Sequence, residues 1–343
     1  MKKSFFVLGV AVAALASCTN EEVVDMPQSR AIQFGTFVNH STRSSVTETT
    51  KVNFNKFFVF GNYGEGTWTP VYTNVAVKGG TVGDQTVWTP ELTAYWQSEE
   101  KYKFGAYSNG NNKLETGVSF DAQSQKLTFS NYTVGTNDLI VAIPDTKTSA
   151  TEATSNSPVA LSFYHMLSQV KFTFNNTDSH DYKMEISDIK VSAVKSCGGS
   201  ATHAESGAPN IEWTTESAST EEYDFGTIDD IAKPVSGDSH STTCFVIPQS
   251  NTSLQVTFTA TFSDDAGVIK SSNFTGSLDY QDETANTKKG EWTPGFRYNY
   301  MVTINGSTVN PDLENQKIEF EVSAVDEWEN TDNTTVTPNE AGE

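Results

Sequence analysis

Short runs in which large apolar residues alternate with polar ones, separated by polar turns, recur along almost the whole chain. Phe58 and Phe60 lead to a turn predicted at Gly61-Asn62-Tyr63-Gly64. Tyr102, Phe104 and Ala106 alternate before Asn109-Gly110-Asn111-Asn112, and Leu127 and Phe129 alternate again. Leu254, Val256, Phe258, Ala260 and Phe262 form the longest strict run. A period of two built from aromatic and β-branched residues marks strands with one buried face, as in antiparallel sheets. Helical periodicity is almost absent, so the expected fold is all-β.

Polar stretches divide the pattern. Asp145 to Pro158 holds no large apolar residue and reads as a surface loop or a linker between domains. Gly198–Pro209 and Ser236–Thr242 read as long loops within the second half. Two antiparallel β-sandwiches are expected, over 44–157 and 158–330, followed by a polar tail at 331–343. No repeat of propeller or solenoid length is visible.

The two ends of the chain carry separate signals. Lys2 and Lys3 precede an apolar stretch from Phe5 to Ala14 that is too short to span a bilayer, so residues 1–17 read as a signal peptide. Leu15-Ala16-Ser17-Cys18 resembles the lipobox of bacterial lipoproteins, in which the cysteine becomes the lipidated N-terminus. Acyl chains on Cys18 would then be the membrane anchor. Ala31 to Val38 follows as the first strand of the mature chain, with Ile32, Phe34 and Val38 on one face. Arg43, in a polar loop just beyond it, is a site where a trypsin-like protease could cut; Arg30, just before it, is the alternative. Cutting at Arg30 trims the tether alone, whereas cutting at Arg43 frees the strand from its covalent link. Residues 18–43 are thus read as a tether and removable strand. Near the other end, Ile318, Phe320, Val322, Ala324 and Trp328 share one parity, with Glu319 and Glu321 on the other. They make either a donor strand for another chain or an ordinary closing strand.

Chemistry is sparse by comparison. A net charge of −21 on 343 residues argues against nucleic acid, which needs clustered Lys and Arg. Beyond Cys18, Cys197 and Cys244 remain, with a disulfide between them left open. No Cys/His spacing suggests a metal site. His40, His165, His180, His203 and His240 are scattered, and His165, in an apolar segment, reads as structural. No catalytic arrangement and no cofactor is expected. Trp68, Trp88, Trp96, Trp213 and Trp292 are either core residues or stacking platforms of a monomeric, glycan-binding surface lipoprotein.

Taken in order, several segments resemble the fimbrillin (Mfa-like) family of Bacteroidetes type V pilus subunits. They are the lipobox with Cys18, Ala31-Ile32-Gln33-Phe34 followed by Thr42-Arg43, and Asp138-Leu139-Ile140-Val141-Ala142. Val159 to Val170, containing Phe163-Tyr164-His165-Met166-Leu167-Ser168, then Gly295-Phe296-Arg297-Tyr298 and Val325-Asp326-Glu327-Trp328 complete the series. The resemblance implies two transthyretin-like (Ig-like) β-sandwiches and export to the outer membrane as a lipoprotein. It further implies cleavage after Arg43 and polymerisation with other pilus subunits by strand exchange, in support of adhesion to a receptor. The polar tail after Trp328 departs from stalk subunits, which carry more apolar donor residues.

Overall fold

The computed structural model describes residues 31–38, 53–82, 85–149, 158–231, 240–250, 254–282, 287–305, 309, 316–319 and 321–327, and the chain is all-β. Its first half contributes β1 (Phe34–Val38), β2 (Lys56–Glu65), β3 (Thr67–Val82), β4 (Gln85–Pro90) and β5 (Lys101–Asn109). β6 (Val118–Asp121), β7 (Lys126–Thr133), β8 (Leu139–Ala142), β9 (Lys147–Thr148) and β10 (Val159–His165) follow. The second half begins with β11 (Ser168–Asn176), β12 (Lys183–Val194), β13 (Ser196–Thr202), β14 (Asn210–Trp213) and β15 (Thr220–Asp224). Next come β16 (Ile228–Ile231), β17 (His240–Val246), β18 (Gln249–Ser250), β19 (Gln255–Asp264) and β20 (Gly267–Ser277). β21 (Tyr280–Asp282), β22 (Thr287–Lys289), β23 (Glu291–Trp292), β24 (Phe296–Ile304), β25 (Gln316–Glu319) and β26 (Glu321–Glu327) complete it.

Seven strands of the first half close on themselves. Pairing runs β2-β3-β4-β1-β10-β8-β5, and β5 pairs back onto β2. The expected first sandwich is therefore a closed barrel, a form that leaves no free sheet edge. Closure needs bent strands, and Gly61 supplies one bend. The register of β2 on β3 shifts on either side of Gly61, and a Cβ there would lie 2.8 Å from the Phe104 ring. Gly61 to Gly64 is thus not the turn its glycines suggested. The strand runs on, and the chain reverses at Gly66, whose φ is +82°.

Alternate residues of these strands fill the interior. Phe57, Val59, Tyr72, Val77, Trp88, Phe104, Ile140, Leu161 and Phe163 belong to one buried cluster with Ile32 and Phe34. The opposite face of β2, β5 and β8 is also covered, because Phe58, Phe60, Tyr107, Leu139 and Val141 join a second core. β10 was expected in the second unit but is a stave of the barrel: Val159, Leu161 and Phe163 are buried there in alternation with Ala160 and Ser162.

The second half packs two sheets face to face, β17-β11-β24-β26 and β15-β12-β19-β20-β25. Phe172 meets Phe225 and Phe174 meets Phe258 between them, at ring separations of 4.8 and 5.1 Å. A further sheet, β14-β13-β7-β6, draws two strands from each half of the sequence. Part of the stretch read as a loop over Gly198–Pro209 is therefore strand. It lacked the large side chains of a strand signature because Gly199 lies under Trp213, whose ring would be 2.6 Å from a Cβ. Within Ser236–Thr242, His240 to Thr242 belong to β17 and the remainder lies outside the described residues.

Candidate assembly site

β1 is the stave that closes the barrel, lying between β4 and β10. With β10 it pairs in parallel over five residues, from Phe34 opposite Val159 to Val38 opposite Phe163. With β4 it shares a single antiparallel pairing, Phe34 opposite Trp88. The Ile32 N–H donates to the Ala94 carbonyl at 2.8 Å, and the Val159 N–H to the Gln33 carbonyl at 2.8 Å. The side chains of Ile32 and Phe34 are buried at 1% and 3% exposure. The Phe34 ring sits among Phe57, Tyr72 and Phe104, with centroids 5.7–5.9 Å away. Burying two such side chains contributes about 1.5–3 kcal/mol each. A whole domain retains only about 5–15 kcal/mol. Removing β1 would leave an apolar slot and two unpaired edges.

Strand directions give the molecule two distinct ends. β10 runs toward the junction with the second half, where Met166 and Leu167 lead into β11 and the Gly295 N–H donates to the Leu167 carbonyl at 2.9 Å. β1, parallel to β10, therefore begins at the outer end of the barrel. β11 and β24 run side by side away from the junction, and the Thr177 N–H reaches the Ile304 carbonyl at the outer end of the sandwich.

At the junction itself, Asp138 and His165 meet. β8 and β10 pair with Ile140 opposite His165, which brings two separate sequence segments together. His165 Nδ1 lies 2.9 Å from Asp138 Oδ2 in a fully buried position. His165 was read as structural; its acidic partner was not anticipated, although both residues stood in segments singled out from the sequence.

The remaining site residues fall as follows. Cys18, Arg30, Arg43, Phe320 and Trp328 lie outside the described residues. Ile318 is in β25, paired with β20, whereas Val322 is in β26, paired with β24. The run that looked like one strand is thus split between the two facing sheets. Cys197 and Cys244 are free thiols on different sheets, so the disulfide left open by the sequence is not formed. Burial pushes the Cys244 thiol up to about 11, with the Asp224 carboxylate adding to the shift. Trp88, Trp96 and Trp292 are buried, and the Trp213 indole N–H donates to the Met166 carbonyl at 2.9 Å. Trp68 is partly buried under Lys103, whose Nζ lies 4.7 Å from the ring centroid. These tryptophans are packing residues, which does not favour a stacking platform.

A fimbrillin-like family model matches residues 42–328, beginning just beyond β1. The chain belongs to the fimbrillin-like family. As a member of a family of pilus and adhesion subunits at the cell surface, it is a structural protein and not an enzyme. Among solved structures it is similar to a protein assigned to cell adhesion in Bacteroides uniformis, with 15% identity over 88% of this chain and 100% of that one and a TM-score of 0.48. It is also similar to the fimbrial anchor protein Mfa2 of Porphyromonas gingivalis (10% identity, 79% and 90% coverage, TM-score 0.31). The tip fimbrial protein Mfa3 of the same organism matches at 7% identity, with 73% and 89% coverage and a TM-score of 0.32. No curated protein matches the chain. The family assignment rests on the match over residues 42–328.

Proposed function

We propose that this fimbrillin-like protein is a structural subunit of a cell-surface fimbria, exported as a lipoprotein on Cys18 and cut after Arg43. It then polymerises as a strand from a neighbouring subunit replaces β1, and the fibre supports adhesion. The observation that carries this reading is the place of β1: it closes a barrel, buries Phe34 with Ile32 just ahead of it, and has one ladder pairing with β4. Cleavage after Arg43 leaves such a strand held by non-covalent contacts alone, so a better-fitting strand can displace it.

The candidate donor is the C-terminal segment with Ile318, Phe320, Val322 and Trp328. Direction supports this choice. A replacement must run as β1 does, parallel to β10 and entering from the outer end of the barrel. β24 ends at Ile304, at the outer end of the sandwich, so a released C-terminal segment departs from the opposite pole of its own subunit. Copies stacked in one direction bring that exit to the next copy's entrance. Mass spectrometry of assembled surface protein tests the reading. An N-terminus at Ser44 is expected; lipidated Cys18 in assembled fibres overturns removal of β1 and makes the lipid a permanent anchor.

A further inference from the structure

Acidic residues outnumber basic ones 43 to 22 in this chain, yet three lysines gather at one recess of the barrel. Lys56 and Lys78 stand directly opposite each other on β2 and β3, a placement in which like charges repel. Lys113 joins them around a hollow of about 480 Å³ that Asn111 and Leu92 also line. Lys78 is answered by Glu91 at 2.8 Å, whereas Lys113 reaches Glu115 only at 3.8 Å. The hydrogen bond and charge of Lys78, with Lys56 and Lys113 adding to them, hold the Glu91 carboxyl below the usual carboxylate range. Leu92 is 52% exposed beside these charges. The recess is basic with one apolar anchor, on a molecule of the opposite sign.

This recess lies on the junction side of the barrel. Asn111 accepts from the Lys56 N–H at 3.1 Å and follows Gly110, whose N–H donates to the Asp138 carbonyl at 2.9 Å. Asp138 meets His165, and a Cβ on Gly295 would lie 3.7 Å from the His165 carbonyl oxygen. Phe296, the next residue, pairs with Glu327, where the described chain ends. Beyond it, residues 329–343 carry Glu329, Asp332, Glu340 and Glu343, no Lys, Arg or His, and Val336 as their one large apolar residue. The stretch from Glu327 to Val336 reaches about 30 Å when extended, which spans this short series of neighbours.

We propose that the acidic tail of residues 329–343 docks in the lysine recess of its own subunit, with Val336 on Leu92 and its carboxylates among Lys56, Lys78 and Lys113. The occupant is this tail because it carries the complementary charge and leaves the fold on the side where the recess lies. Its attachment keeps its local concentration high, so ion pairs that are weak singly suffice to seat it. Docking keeps the end of β26 at the junction in the uncut subunit, whether or not that segment is later donated to another. The contact does not depend on strand exchange.

The test places Leu92→Cys and Val336→Cys in the full uncut chain and oxidises it mildly in dilute solution. A bond between the two introduced thiols within one molecule is expected, and neither single variant should show it. As a control, Val268→Cys replaces Leu92→Cys; Val268 is 69% exposed and pairs with Ser263, itself opposite Lys183 at the far end of the sandwich. The control bond should form about tenfold more slowly. Changing Lys56→Glu with Lys113→Glu should slow the Leu92 bond about tenfold, and adding Asp332→Lys with Glu340→Lys should restore it to within about threefold. Leu92 and Lys113 lie at the surface, so folding is little affected. A bond formed only between molecules overturns docking within the subunit and gives the recess to a second copy. No bond, or one that forms as fast from Val268→Cys, overturns the docking outright. Fibres that keep a lipidated Cys18 would end the strand-exchange reading and leave this result unchanged.

Discussion

His165 Nδ1 lies 2.9 Å from Asp138 Oδ2, with side-chain exposures of 1% and 0%, where the barrel passes into the sandwich. Removing either partner leaves the other polar group buried without it. Asp138→Ala should destabilise the protein by about 3 kcal/mol, read as a lower urea midpoint at unchanged slope. The double change Asp138→Leu with His165→Phe should cost less than the sum of the two single losses, because no polar group is left stranded. Additive losses would show that the pair is not coupled.

The contribution of Phe34 should depend on processing. In the uncut chain Phe34→Ala empties a space among Phe57, Tyr72 and Phe104, at a cost of about 3–5 kcal/mol in thermal unfolding. In assembled fibres the same substitution should have no effect on stability, since the proposed cleavage and exchange remove the strand carrying it. A fibre destabilised by Phe34→Ala would mean that β1 stays in place.

Alkaline pH should loosen the fold. Burial raises the Cys244 thiol from 9.0 to about 11 and the Tyr72 hydroxyl from 10.0 to about 12, and it raises Tyr132 and Tyr223 as well. The unfolded chain releases these protons first, so the folded state binds more of them above the unfolded pKa. Stability is full below pH 9, the ordinary thiol value, and falls as pH rises through 11 and 12. Urea midpoints at increasing pH should decline accordingly, and Cys244 should react slowly with Ellman's reagent at pH 8 while the protein is folded.

Gly61→Ala should strain the barrel. The new methyl would lie 2.8 Å from the Phe104 ring and 3.1 Å from that of Tyr72, both buried. A loss of about 1–3 kcal/mol in chemical denaturation is expected. Gly66→Ala places its methyl in open space and tests backbone strain alone, at φ +82°.

Much of the strand content was legible because half-buried strands write their two faces into the sequence, as Val256, Phe258, Ala260 and Phe262 do. Closure of the barrel was not, since it depends on β1 meeting β10 far along the chain and on Gly61 bending a strand where glycines resemble a turn. The β13 strand was hidden for a related reason: its small residues are what the Trp213 ring requires. Of Ile32, Phe34 and Val38, read as one face of the first strand, Ile32 just ahead of β1 and Phe34 within it are buried. The C-terminal run was legible as strand, but nothing in its period marked that Ile318 and Val322 belong to different sheets.

The parallel pairing of Phe34 with Val159 also sets an order of events during synthesis. β1 is made first, yet its partner β10 follows more than a hundred residues later, and the barrel cannot shut until both are present. A pairing between segments so far apart carries the loop-closure cost of a long-range contact. Under the proposed cleavage after Arg43, the nascent subunit would resemble the processed one, each being a barrel lacking a stave. In the first case the missing stave arrives from the same chain; under the proposed strand exchange, the second would be filled by another molecule.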